Sequence, residues 1–162
     1  MNKQEKINHY LLGFTDGEGC FSVSLKHEKT TRFGWALDPV FQITQHKTNK
    51  NILEMFQKTL RCGRIIHKSG QPDILLFLVD NRRQLIEKII PFFKRYPLIA
   101  KKQDFQKFEE IVIGLENKMH YKPETFKKLI KKAFEMNLGG KQRRYSIETV
   151  LKEIAGSPET VR

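Results

Sequence analysis

The chain has 162 residues, with 30 Lys and Arg against 18 Asp and Glu and a formal net charge of +12. That length suits a single domain with a real core, and the cationic excess favours a polyanionic partner, nucleic acid first, over a basic but inert surface. No apolar run is long enough to cross a bilayer, and the polar start Met1–Asn8 is no secretory leader, so a soluble, non-secreted protein without a membrane partner is expected. Cys20 and Cys62 have neither the number nor the spacing of a disulfide framework or a zinc site, and read as reduced thiols.

In chain order, Ile7, Tyr10, Leu11 and Phe14 recur on one helical face. Gly17 and Gly19 then predict that the helix stops near Asp16. Two acids, Asp16 and Glu18, stand where this helix meets the following strand, and Gly13 and Gly17 leave one helix side bare enough for a second backbone. A carboxylate at the foot of such a contact is a half-built metal site, although a helix end with two solvated acids fits the same letters.

From Cys20 to His27 the pattern alternates, with Phe21, Val23 and Leu25 on one side and Ser22, Ser24 and Lys26 on the other. Glu28 to Arg32 is a charged hairpin tip carrying Lys29 and Arg32. A second strand is predicted from Phe33 to Gln45, with Phe33, Trp35, Leu37, Phe41 and Ile43 inward and Asp38, Val40, Gln42 and Thr44 outward. Pro39 argues for an edge or a bulge. A helix over Asn49–Leu60 follows, with Thr48 as its expected N-cap. Strands at Arg64–Lys68 and Ile74–Asp80 flank a turn at Ser69–Asp73; the second is apolar on both sides, which leaves its inward side open. A helix over Arg82–Tyr96 is interrupted by Pro91.

The order is thus αββαββα, an α+β fold with an antiparallel sheet whose helices lie on one face. The other face is left polar and basic through Lys26, Lys29, Arg32, Gln42 and His67, in a shape suited to a DNA groove. The next helix buries Phe105, Phe108, Ile111, Val112 and Leu115. Residues 1–117 make the core domain, and residues 118–162 a basic helical extension with helices at Pro123–Asn137 and Ile147–Ile154, a linker at Leu138–Tyr145 and Ser146 as an N-cap.

The run Leu11-Leu12-Gly13-Phe14-Thr15-Asp16-Gly17-Glu18-Gly19 resembles the LAGLIDADG motif of homing endonucleases. It departs from the family at Leu12, where a small residue is usual, and this bears on how closely paired helices approach. The resemblance runs from Tyr10 to Leu115 and includes Phe41-Gln42-Ile43-Thr44-Gln45 and Pro97-Leu98-Ile99-Ala100-Lys101-Lys102. It implies a metal-dependent endonuclease that uses Mg²⁺, with Mn²⁺ as a substitute. Glu18 would be the metal acid and Gly17 would lend a backbone carbonyl. Gln45 would order water and Lys101 would stabilise negative charge, with Lys102 the alternative. Where an Arg often reaches the scissile region in the family, this chain has Asn49 between Lys47, Thr48 and Lys50.

One Glu18 is too sparse for a metal site, so two copies are expected to meet through Leu11, Leu12, Gly13, Asp16 and Gly17, in line with the homodimers of single-motif members. The target would be a long, pseudo-palindromic double-stranded DNA site, cut to leave 3′ overhangs. Its readers would be Ser22, Ser24, Lys26, Lys29, Arg32, Asp38, Gln42, Thr44, His67, Ser69 and Asp73. Family habit puts such a gene in an intron of an organelle, chloroplast or mitochondrion, or of a prokaryote. A non-cleaving nucleic-acid binder, such as a maturase acting on intron RNA, is the competing reading.

Overall fold

The computed structural model describes residues 1–136 and 144–157. They fall into two compact units: Met1–Phe21 with Val40–Phe105, and Ser22–Pro39 with the described residues from Gln106 onward. This division does not coincide with residue 117. The fold is α+β, with a four-stranded antiparallel sheet in the order β1-β2-β4-β3.

In the first unit, α1 spans Lys3–Glu18. The Asn2 side chain accepts from Glu5 N (2.9 Å) and the Glu5 carboxylate accepts from Asn2 N (3.0 Å), a reciprocal cap that satisfies two orphan donors. The helix runs past the expected stop at Asp16, because Gly17 keeps helical geometry and the C-cap is Gly19. A Cβ on Gly19 would lie 2.6 Å from Thr15 Cγ2 and 2.7 Å from Thr15 O, so only glycine lets the chain turn this closely into β1, Gly19–His27. The second strand, β2, is Trp35–His46, two residues later at its start than expected; Phe33 is buried in the preceding loop. A 3₁₀ turn at Lys47–Asn49 leads into α2, Lys50–Leu60. Thr48 is therefore inside that turn rather than the cap of α2, and Thr48 N donates to His46 Nδ1 at 3.3 Å.

β3 (Arg64–Lys68) and β4 (Gln71–Val79) are joined by Ser69 and Gly70, with Gly70 at φ +71°. The strand thus begins before Ile74, and Pro72 and Asp73 lie within it. Leu75, Phe77 and Val79 point inward, and Phe77 meets Phe41 and Phe56 at ring separations of 6.3 and 5.8 Å. Truncating a ring buried like Phe77 costs about 3–5 kcal/mol. β2 is an inner strand, yet it tolerates Pro39 because its ladder to β4 begins only at Phe41. The helix expected over Arg82–Tyr96 is α3 (Arg82–Gln84), a π turn at Leu85–Ile89 and α4 (Ile90–Arg95). The wide turn ends at Ile89, and Pro91 then sits in the first turn of α4, where a missing N–H and a fixed φ are tolerated.

Helix α5 spans Lys102–Glu116 and belongs to the second unit from Gln106 onward, and that unit also holds α6, Pro123–Phe134, and α7, Ile147–Gly156. Phe108, Ile111, Val112 and Leu115 of α5 are all buried, as their helical spacing predicts, and so are Phe126, Leu129 and Ile130 of α6. Gly114 permits this approach, since a Cβ there would be 2.7 Å from Leu129 Cδ2. Ser146 caps α7 by accepting from Thr149 N, and Trp35 Nε1 donates to Glu153 at 3.0 Å. The expected linker from Leu138 falls at residues 137–143 outside the described residues, as do the last residues, 158–162.

Candidate active site

The C-terminal end of α1 and the segment 96–101 build the candidate site, both within the first unit. Asn8 Nδ2 donates to the buried Tyr96 hydroxyl at 2.9 Å, and His9 meets the Tyr96 ring edge-on at 5.4 Å, which sets the segment along the helix. Leu98 is buried, so the backbone then turns up past the helix end. There the Asp16 carboxylate accepts three successive backbone N–H groups: Ile99 (2.9 Å) and Ala100 (3.0 Å) on Oδ2, and Lys101 (3.0 Å) on Oδ1. Burial pushes the Asp16 carboxyl up, but these three donors and the Lys101 charge outweigh it and hold the group below its ordinary value.

Lys101 is half-buried, and its Nζ donates to the carbonyls of Asp16 (2.8 Å) and Gly17 (3.2 Å). A cation here satisfies last-turn carbonyls and faces the negative end of the helix dipole. Lys102 is exposed as the first residue of α5. Glu18, two residues beyond Asp16, is exposed at the final position of α1. The structure therefore gives the two acids different surroundings. Gln45 stands near the end of β2, and its Oε1 accepts from Asn49 Nδ2 at 3.0 Å. Among the described residues no group of three or more His, Cys, Asp and Glu side chains gathers as a metal cluster.

The remaining sequence candidates are distributed over the strands. In the first unit, Gln42 and Thr44 lie opposite Leu78 and Leu76, on the outward side of the sheet. His67 does not join them: it stands opposite Leu75, on the side that faces the helices, and its Nδ1 lies 3.1 Å from Pro72 O. The expectation of His67 on the open face fails because the β3–β4 register, invisible in the letters, sets its side. Ser69 is in the hairpin turn, and Asp73 is paired with Lys47 at 2.6 Å. The hydrogen bond and charge of Lys47 hold the Asp73 carboxyl low.

In the second unit, Ser22 and Ser24 alternate with buried Phe21 and Val23, and Lys26 is ion-paired with Asp38. Lys29 is exposed in the tip, while Arg32 donates from Nη1 to Tyr121 O at 2.9 Å, tying that loop to a 3₁₀ turn at Met119–Tyr121. Sequence reasoning did not find the partners of Asp16 at 99–101, nor Arg32 as a loop anchor. Both depend on contacts more than eighty residues apart, for which the local sequence carries no signal.

A family model described as LAGLIDADG endonuclease matches residues 11–112, the stretch that holds Glu18, Gln45 and Lys101. The chain belongs to the LAGLIDADG endonuclease family. The homing endonuclease I-ApeII of Aeropyrum pernix is 35% identical over 152 residues, 91% of this chain and 90% of the relative. Among solved structures, the archaeal intron-encoded homing endonuclease I-Vdi141I, complexed with DNA, superposes with a TM-score of 0.88 at 38% identity, covering 94% of this chain and 97% of that one. The group I intron-encoded homing endonuclease I-CeuI, also complexed with DNA, gives 0.87 at 27% identity over 95% of this chain and 78% of that one. No helix of this LAGLIDADG endonuclease is, among the described residues, long and apolar enough to cross a membrane.

Proposed function

We propose that this chain is a homodimeric, Mg²⁺-dependent homing endonuclease that cuts both strands of a long, nearly palindromic DNA site and leaves short 3′ overhangs. The observation that carries this reading is the division of labour at the end of α1. Asp16 is spent inside the chain, holding Lys101 in place, while Glu18 stays exposed and available. One exposed acid and the Gly17 carbonyl are half of an oxygen donor set, and a second copy supplies the other half. Glu18 and the Gly17 carbonyl of each copy would hold Mg²⁺, or Mn²⁺ in its place, which when bound would supply an activated water and offset charge on the phosphate.

The chain's own groups do the positioning. Two donor positions of the Lys101 ammonium are taken by the carbonyls of Asp16 and Gly17, which leaves the third for a phosphate oxygen or a water. Asn49 occupies the Gln45 carbonyl oxygen and leaves the amide NH₂ to orient solvent. The α1 surface supports pairing: a Cβ on Gly13 or Gly17 would meet nothing within 4 Å, Tyr10 is 47% exposed, and Ile99, pinned beside Asp16, is 88% exposed. An apolar side chain that exposed on a fixed backbone gains most from a second copy. Two similar proteins are complexed with DNA, which supports a DNA target, and the outward polar residues Gln42 and Thr44 support the open sheet face as the DNA side; the intron-encoded, partly archaeal origin of those proteins supports a gene carried by an intron of an organelle or a prokaryote.

The test starts from a randomised palindromic duplex library incubated with Mg²⁺ and either the native chain or Glu18→Gln. Cleavage by the native chain, with binding but no cleavage by Glu18→Gln, is the expected result; end-sequencing reads the overhang and sedimentation reads the dimer. Binding by both with cleavage by neither would overturn the nuclease reading in favour of a non-cleaving DNA or intron-RNA binder.

A further inference from the structure

We propose that Ile66, Leu76 and Leu78 form an apolar base-reading patch that selects thymine through its C5-methyl group; this rests on the DNA-facing role of the open sheet side proposed above. Leu75, Phe77 and Val79 already supply the inward side of β4, so the core explains those three and not their alternates. Register decides where the alternates go. Leu76 lies opposite Thr44 on β2 and Ile66 on β3, and Leu78 lies opposite Gln42 and Arg64. Directly opposed residues share a face. Leu76, Leu78 and Ile66 therefore form a contiguous outward block between polar flanks, and all three are only half-buried.

Charge favours a polyanion, and the DNA-facing role proposed for this side makes that occupant double-stranded DNA. The chain carries a net charge of +12, and Lys68 is exposed at the end of β3 beside this block. Within a major groove, thymine alone among the four bases offers an apolar group, whereas the cytosine and purine edges present donors and acceptors that a leucine leaves unpaired. The patch thus attracts the methyl and penalises the alternatives, while Gln42 and Thr44 beside it remain free to hydrogen-bond neighbouring edges.

The experiment uses the duplex that the native chain itself selects from a randomised pool, with Ca²⁺ in place of Mg²⁺ to hold it uncut. That duplex is resynthesised with deoxyuridine for thymidine in both half-sites, which deletes only the methyl groups. Native affinity is expected to fall about fourfold for each contacted methyl removed. The triple variant Ile66→Ala, Leu76→Ala, Leu78→Ala is expected to bind both duplexes alike; its residues face outward, and an unchanged melting curve shows that it folds. Equal native binding of the two duplexes overturns the inference while leaving DNA binding intact. If that indifference comes with loss of self-association in Leu76→Asp, the patch is a protein contact instead. Failure of the native chain to select any duplex overturns the DNA-binding reading itself.

Discussion

The end of α1 and the outward side of β3–β4 are built on opposite principles. At the helix end each polar group has a defined partner: one carboxylate takes three N–H donors, and one ammonium takes two carbonyls. On β4 the outward residues Leu76 and Leu78 make no hydrogen bonds through their side chains and can act only by shape and contact. The difference suits the tasks proposed for the two regions. Phosphodiester chemistry fails when a charge is displaced by an ångström, whereas base reading sums many weak contacts and tolerates changes at each. Substitutions at the helix end should therefore act steeply and on rate, those on the strands shallowly and on affinity.

The largest expected effect is Glu18→Gln. Losing the acid should lower cleavage by at least about 10³-fold with duplex affinity retained, read by comparing single-turnover cleavage with binding. A comparable loss of binding would erase the contrast between the two regions. Next comes Lys101→Met, expected to slow cleavage by about 10²-fold, against little change for Lys102→Met. Equal effects of the two would show that the ammonium bound to the Asp16 and Gly17 carbonyls has no special place.

Asp16→Asn should act on both stability and rate. It keeps one acceptor oxygen, sets an NH₂ against at least one of the three backbone N–H groups and loses the charge that strengthens the remaining bonds, a cost of about 2 kcal/mol or more. Because the folded Asp16 carboxyl titrates below its ordinary value, its stabilisation is complete above the ordinary carboxylate range and is lost as pH falls through the lowered value. Asp16→Asn should accordingly flatten the acid limb of the stability profile, as chemical denaturation between acid and neutral pH would show. An unchanged limb would mean that other carboxylates carry acid unfolding.

Gly17→Val sharpens the comparison from the outside. The monomer has open space at this position, so melting should shift little while sedimentation shows a loss of dimer. The smallest effect belongs to Cys62, whose burial pushes the thiol up to about 11 and keeps it protonated at neutral pH. Alkylation of the native chain at that position should be slow and become fast only on unfolding.

The candidate site was legible in the sequence where it depends on local letters. The motif from Leu11 to Gly19 marked the helix-to-strand junction, and the alternation around Phe21 and Phe41 marked inward faces that are indeed buried. Helix ends were less legible, because a glycine such as Gly17 permits a stop without requiring one. The Asn2–Glu5 cap has local spacing, yet it forms only once the helix start is set. The shift of β4 to begin at Gln71 moved Pro72 and Asp73 from turn to strand, since a hairpin turn is defined by pairing rather than composition.

By itself the sequence determined the α+β order, the helical stripes and the place of an exposed acid at a helix end, since these depend on periodicity and on residues a few positions apart. Only the tertiary structure decided that Asp16 holds residues 99–101, that Lys101 rather than Lys102 reaches the end of α1, and that His67 faces the helices while Leu76 faces outward. Those outcomes depend on strand register and on contacts spanning 85 residues between Asp16 and Lys101. An apolar run has no preferred side until its partner strands pair with it, and an acid has no role until the donors folded against it arrive.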